Sequence, residues 1–288
     1  MNDEKRIKAN LKYRAVRWSS FTLKKIILIL LAIISIYPLF FVVINSVKSK
    51  GDYNGNKIGF PKEIIWDAFR KVFLDQRFLR WFSNTVFLTI ISVLICLIIA
   101  SFAAFALSKM QFKGRRFILN SIISLMVMPV IIMIIPLFVL FGKLQLTNNY
   151  IGVILIYVGI LMPFNIYLLY SYFVNVPQAI LESARIDGCG NFQIFLRMMV
   201  PLSLSALMAL LVVDVLWVWN ELLIALIFMQ KENMRTLMVG LTLFQGRFTS
   251  DVPVIMAGLT AGILPILILY LFTQKYFVKG LVAGSIKG

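Results

Sequence analysis

Six long apolar runs constrain this chain more than any other feature. They lie at about 23–47, 84–108, 117–141, 151–173, 205–229 and 253–277. Crossing a bilayer as a helix takes about 20 predominantly apolar residues, and every run reaches that length. Backbone in hydrocarbon has to satisfy its own N–H and C=O groups, so each run is predicted to be a helix. The expected fold class is an all-α polytopic membrane protein with six transmembrane helices. An even number of spans places both termini on one side. Pro38, Pro129, Pro136, Pro163 and Pro265 fall inside runs; neighbouring helices and water can satisfy the carbonyls they free.

Composition agrees with this reading. Hydrophobic residues make up 60% of the chain and charged residues 14%, against about a quarter charged in soluble domains. The net charge of +17 raises the question of nucleic acid. The basic residues, however, sit in short connections between apolar runs, where they set topology rather than form a binding stripe, and no nucleic-acid partner is expected. Residues 1–22 form a basic lead carrying Lys5, Arg6, Lys8, Lys12, Arg14 and Arg17. The run that follows is too long for a signal-peptide core and lacks a small-residue cleavage site. Lys and Arg modestly favour the N-terminal side, most clearly in KMQFKGRR at 109–116, so both termini are expected in the cytoplasm. The organisation expected is a cytoplasmic lead at 1–22, a six-span domain at 23–277 and a cytoplasmic tail at 278–288.

Several chemistries are excluded or left without support. Histidine is absent, Cys96 and Cys189 have no metal-type spacing, and no Gly-x-x-x-x-Gly-Lys-Ser/Thr loop occurs. The chain is therefore expected to hold no metal and to carry no nucleotide site of that kind. In the first outer loop, WDAFRKVFLDQRFLRWF at 66–82 has apolar residues at roughly helical spacing. It reads as an amphipathic helix along the outer interface, with Trp66 and Trp81 as headgroup anchors.

The longest polar interruption in the second half is Val176–Leu202. Pro177 suits the first turn of a helix, and Asp187-Gly188 can close that helix in a left-handed turn. Asn191 can cap a second short helix, limited by Pro201. Two short helices joined at a glycine, between the fourth and fifth spans, form a lever that a soluble partner could push.

Within this segment, Glu182-Ser183-Ala184, three residues, Gly188, nine residues and Met198-Met199-Val200-Pro201 resemble the signature loop of ABC-importer permeases. That loop reads Glu-Ala-Ala, three residues, Gly, nine residues, Ile, one residue, Leu-Pro. The chain departs from it at Ser183, Met198 and Val200, each by a similar residue. Further stretches are similar to the maltose-type carbohydrate branch: Asn84-Thr85, FKGRR at 112–116, PLFVLFGKLQLTNNYIGVIL at 136–155, MPF at 162–164, WNE at 219–221 and KYFVKGLVAGSIKG at 275–288. The resemblance implies a type I importer fold in a bacterial cell membrane. It also implies a second homologous permease subunit, a cytoplasmic ATPase dimer that carries ATP and magnesium, and an extracellular solute-binding protein, so that this chain would bind no cofactor and catalyse nothing itself. Glu182, Ser183, Ala184, Asp187 and Gly188 would form the ATPase-coupling site.

The fifth run holds the other candidates. Asp214 and Glu221 lie seven positions apart, nearly two helical turns, so one face would carry both acids with Trp217 between them. Acids in a span are costly and usually face a cavity or a partner. Hydroxyls can donate to carboxylates while an indole covers the C–H face of a sugar ring, so Asp214, Trp217, Asn220 and Glu221 are substrate-pathway candidates. Trp219 points away and reads as packing or an interface anchor. The same acids could instead pair within the bundle, or serve as the relay of a proton-coupled secondary transporter; a non-sugar solute is a further alternative. The outer segment 229–252 reads equally as a solvated connector or, as the resemblance implies, a loop that reaches the binding protein.

Overall fold

The computed structural model describes residues 3–247 and 251–285, with side chains described from residue 23 onward except at 76, 243–247 and 275–285. Every element among these residues is helical. They are α1 (Asp3–Ser46), α2 (Lys50–Gly55), α3 (Asp67–Leu74), α4 (Gln76–Lys109), α5 (Arg115–Leu125), α6 (Val130–Lys143) and α7 (Tyr150–Val174). Next come α8 (Gln178–Ile186), α9 (Asn191–Ile194), a π-helical stretch (Phe195–Met199) and α10 (Val200–Leu202). The chain continues with α11 (Leu204–Asn220), α12 (Leu223–Phe228), a 3-10 turn (Glu232–Met234), α13 (Leu237–Arg247) and α14 (Val252–Ser285).

Four of the six expected spans are continuous apolar helices, at Leu23–Ser46, Arg77–Lys109, Tyr150–Val174 and Val252–Gln274. The other two are bent. The third breaks after α5 and turns by 100° into α6, and the run leading into the fifth bends by 75° between α10 and α11. The first break falls at 126–129, where Pro129 caps α6 with an extended backbone, because proline disfavours helical geometry in the residue before it. Hydropathy summed along a run does not register such a break.

Two units make up the chain, residues 1–72 with 248–260 and residues 73–247 with 261–288. In the first, α1 exposes apolar side chains on all sides over most of its span. A compact turn follows it, closed by Ile65 N–H to the Val47 carbonyl at 2.8 Å. Lys48 is buried there and donates through Nζ to the Asn56 carbonyl at 2.7 Å, at the C-terminal end of α2 where a cation is favourable. Lys71 pairs with Asp251 at 2.9 Å.

In the second unit α4 lies along α7, and both meet α11. The buried core includes Leu97, Ala100, Ala104, Val153, Tyr157 and Leu210. The amphipathic helix expected over 66–82 is in fact two helices. Asp75 ends the first and caps α4, accepting from Arg77 N–H at 2.9 Å. Trp66 is exposed, but Trp81 is buried and is not an interface anchor. It packs under α13, where a Cβ on Gly240 would run into its indole. Gly240→Ala is therefore expected to cost about 1–3 kcal/mol by overpacking. The measurement is the melting temperature of the detergent-solubilised protein; an unchanged value would mean that α13 can lift off α4.

Within the outer segment 229–252, residues 234–241 are packed rather than solvated, while 230–233 are exposed. Leu237, Val239 and Leu241 are buried, and α13 packs on α4; residues 248–250 of the segment lie outside the described residues. Of the expected tail at 278–288, residues up to Ser285 continue α14 as helix, and residues 286–288 lie outside the described residues.

Candidate functional site

The lever takes the expected two-helix form, with differences in detail. Pro177 is the N-cap of α8 rather than its first helical residue. The helix ends at Asp187, and Gly188 follows at φ +83°. Gly188 N–H bonds to the Arg185 carbonyl at 3.0 Å, and Cys189 N–H to the Ala184 carbonyl at 2.9 Å. This pair of bonds is the Schellman arrangement, which satisfies the last carbonyls of the helix through a left-handed residue.

The second helix is capped by Gly190 rather than Asn191. Gly190 N–H donates to Gln193 Oε1 at 3.1 Å, so the glutamine three residues on closes the helix start. Pro201 does not end this run. The chain widens into the π-helical stretch at 195–199 before it, which fits a residue with no N–H to donate and a ring that crowds the preceding turn. The run stops at Ser203, whose Oγ donates to the Met199 carbonyl at 2.6 Å.

Burial sorts the coupling residues. Glu182, Ser183, Asp187 and Gly188 are exposed. Ala184 is buried at 4%, beside Leu181 at 0%, so it seats α8 on its own bundle rather than allowing a partner to approach. Ser183 Oγ is turned back onto the Ala179 and Ile180 carbonyls at 3.1 and 3.0 Å. Ile186 is not among the residues that the sequence singles out, yet it shares this exposed surface. It stands 87% exposed at the tip of the lever, and its position between Arg185 and Asp187, one residue before the turn, was the available signal.

The four residues of the fifth run do not form one wall. Asp214 is fully buried, and its Oδ2 accepts from Asn165 Nδ2 of α7 at 2.6 Å. Asn165 Nδ2 also lies 3.1 Å from Cys96 Sγ of α4. Glu221 is not inside a helix. α11 ends at Asn220, and Glu221 has an extended backbone (φ −69°, ψ 125°). Its carboxylate accepts from Ile224 N–H at 2.7 Å, Ala225 N–H at 3.0 Å and Tyr157 Oη–H at 2.9 Å. It thus satisfies the first amides of α12, as an acid at a helix start does. Helical projection placed both acids on one face because it assumed an unbroken helix.

Trp217, Asn220 and Glu221 come together, without Asp214, in an open groove of about 720 Å³. Val213, Leu216, Leu222 and Leu223 line it from the same run, and Val130 and Ile131 from the first turn of α6. The groove therefore sits where the break before α6 meets the break between α11 and α12. Interrupted helices at membrane depth are tolerated where they line a water-accessible cavity or are buried in protein. Trp217 meets Tyr157 edge-on at 5.8 Å. Of its two readings, Trp219 takes packing: it is buried, donates to the Gly262 carbonyl at 3.2 Å and lies edge-on to Phe82. No group of three or more His, Cys, Asp or Glu side chains that could hold a metal occurs among the described residues.

A polytopic helical bundle with an exposed glycine-turned lever and a groove at two helix breaks defines a membrane permease. Residues 96–281 match the family described as the binding-protein-dependent transport system inner membrane component, and the chain belongs to that family. Among its relatives is the arabinooligosaccharides transport system permease protein AraQ of Halalkalibacterium halodurans, 32% identical over 90% of this chain and 93% of that one. Another is the diacetylchitobiose uptake system permease protein DasC of Streptomyces coelicolor, 31% identical over 88% of this chain and 92% of that one. A crystal structure of a bacterial ABC transporter involved in the import of the polysaccharide alginate includes a similar chain. It matches with a TM-score of 0.80 and 27% identity, covering 88% of this chain and 95% of that one.

Membership of this family makes the chain a multi-pass inner-membrane component of a transport system and sets aside the proton-coupled secondary transporter. In the structure Asp214 and Glu221 have separate partners on α7, Asn165 and Tyr157.

Proposed function

We propose that the chain forms half of the translocation pathway of an ATP-driven carbohydrate importer. It would pair with a second, homologous permease and take its energy from a separate cytoplasmic ATPase dimer, where ATP and magnesium are bound, through the lever at 176–202. Both termini and the lever lie in the cytoplasm, and an extracellular solute-binding protein delivers the cargo. The observation that carries the reading is the exposed turn at Gly188, with Glu182, Ile186 and Asp187 exposed around it. The sugar relatives, named for arabinooligosaccharides and diacetylchitobiose, support the substrate class.

In this reading the groove is the wall that this chain offers to the sugar. Trp217 supplies an aromatic surface, and Asn220, exposed at the helix break, supplies a donor and an acceptor. Glu221 already accepts three hydrogen bonds, so its main work is to hold the break open; a carboxylate has acceptor sites left for a hydroxyl. Glu182, Asp187, Gly188 and Ile186 face the ATPase, with Ser183 beside them and Ala184 seating the helix from below.

Uptake of labelled arabino-oligosaccharides and chitobiose derivatives by cells lacking this chain is the test. Loss of uptake of one such class, restored by the chain and insensitive to a protonophore while ATP is held constant, is the expected result. Uptake that persists in proteoliposomes containing this chain alone would overturn it. Trp217→Ala is expected to cut uptake by roughly tenfold, the equivalent of about 1.4 kcal/mol of lost contact. Trp219→Phe, in the packed layer, should leave the concentration dependence of uptake unchanged.

A further inference from the structure

The lever and the outer segment are joined by one helix. α4 has 34 residues, which makes it about 51 Å long at 1.5 Å per residue. It is also the one span-length helix among those described that contains neither proline nor glycine. α1, α7 and α14 hold Pro38, Pro163 and Pro265, and the remaining spans are broken. Proline and glycine are common causes of kinks, and α4 has neither, so it is one continuous path across the second unit.

Both ends of α4 are attached to something that could move. At its C-terminal end Lys109 Nζ donates to the carbonyl of Val176, the first residue of the lever, at 2.7 Å. One and two turns earlier, Phe105 and Phe102 receive the lever's second helix. Phe195 stacks on Phe102 with ring centres 4.4 Å apart and meets Phe105 at 5.4 Å, and Phe192 lies parallel to Phe102 at 6.2 Å. The start of the lever and its return helix are therefore both held by the same stretch of α4.

At the other end, Asn84 and Thr85 hold the outer segment. Asn84 Nδ2 donates to the carbonyls of Asn233 and Arg235 at 3.0 and 2.9 Å, and its Oδ1 accepts from Tyr150 Oη–H at 2.8 Å. Thr85 Oγ1 accepts from Leu237 N–H, the first amide of α13, at 2.7 Å and donates to the Trp81 carbonyl at 3.0 Å. Both side chains are buried. Gly240 lies close over Trp81 one turn further on. Three of these bonds, from Asn84 to Asn233 and Arg235 and from Leu237 to Thr85, join residues about 150 positions apart, and none of the three is needed to form α4 itself.

We propose that Asn84 and Thr85 are positioning residues that make α4 a push-rod. A displacement of the lever at 176–202 is delivered across the membrane to residues 230–247, so the nucleotide state on one face sets the conformation of α13 on the other. This rests on the lever reading above. The alternative is that Asn84 and Thr85 only satisfy buried amides and that α13 is passive.

The test uses the whole assembly, purified with its ATPase and reconstituted in proteoliposomes. Lys231→Cys places a thiol on the exposed outer segment, and a membrane-impermeant maleimide added from that face reads its accessibility. Cys96 is buried and Cys189 lies on the lever, at the opposite face. Trapping the ATPase with ATP and vanadate is expected to change the labelling rate about tenfold, within the usual range of allosteric coupling. Thr85→Val and Asn84→Leu in that background should reduce the change to about twofold or less, whereas Thr85→Ser, which keeps the hydroxyl, should retain it. A purely structural role would lower melting temperature and leave the trapped response of the surviving assembly intact.

A full response in Thr85→Val overturns the proposal, as does a thiol indifferent to trapping before any change at 84 or 85. Should the outer-end variants fail to assemble, Lys109→Met decides from the lever end, where a full response is again fatal. Gly188→Trp separates the two readings. If it abolishes the response while Thr85→Val does not, the lever stands and the push-rod falls; if it leaves the response intact, the lever assignment is the one that fails.

Discussion

Gly188→Trp is expected to abolish uptake while the protein still inserts and remains in the membrane. Gly188 sits at φ +83°, a region that costs a residue with a Cβ about 1–2 kcal/mol. No atom lies within 4 Å of where that Cβ would stand, so the chain has room for a larger side chain. The strain alone does not unfold a bundle whose core lies elsewhere. What tryptophan adds is bulk on the exposed side of the lever, in the path of whatever docks there. Gly188→Ala carries nearly the same strain with little bulk and separates the two effects. If the loss of transport follows bulk, docking is the cause; if alanine is as damaging as tryptophan, the backbone turn itself is required. Glu182→Lys, which reverses an exposed charge on the same helix, should likewise free ATP hydrolysis from its dependence on cargo. Uptake and ATP turnover measured in the same proteoliposomes decide the matter. Normal transport in both Gly188→Trp and Glu182→Lys would remove the lever from the mechanism.

The second large effect concerns Asp214. Its carboxylate is fully buried and has one hydrogen bond, from Asn165 at 2.6 Å. Among the described residues the other oxygen, Oδ1, has no hydrogen-bond partner, and neither does Asn165 Oδ1. Asn165→Leu would leave a buried acid with no donor, a loss expected to cost about 3 kcal/mol or more. Replacing both residues with apolar ones removes the polar groups together and costs far less than the single change predicts. Asn165→Leu should therefore lower the melting temperature of the solubilised protein sharply, and Asp214→Leu in the same chain should recover much of the loss. Additive losses in the double variant would show that the two side chains do not depend on each other. Because Asp214 does not line the groove, the double variant should also retain its preference among sugars.

The two sets of candidate residues were legible in the sequence to different degrees, for a physical reason. The lever is local chemistry. A glycine after an aspartate closes a helix wherever the chain finds itself, and the six residues from Ala184 to Cys189 contain every bond that makes the turn. Only the direction of each side chain needed the bundle, which is why Ala184 was assigned outward and Ile186 was overlooked. The fifth run is the opposite case. Helical geometry put Asp214 and Glu221 on one face because nothing nearby in sequence announces that α11 stops at Asn220. The break depends on Glu221 capping α12 and on Tyr157, 64 positions away, holding the carboxylate. Trp81 shows the same limit, since its amphipathic context suggested a headgroup anchor and Gly240 supplied a cover from 159 positions further on.

The sequence by itself determined the class of fold, the approximate positions of its apolar runs, the turn at Gly188 and the family. Each of these follows from residues within one or two turns of each other, or from a run long enough to cross hydrocarbon. The tertiary structure alone decided where two of those runs break, which acid is buried and which lies at the groove, and how the two ends of α4 are attached. Those outcomes depend on hydrogen bonds and close contacts between segments far apart in the chain, and a hydropathy pattern carries no record of which segments will meet.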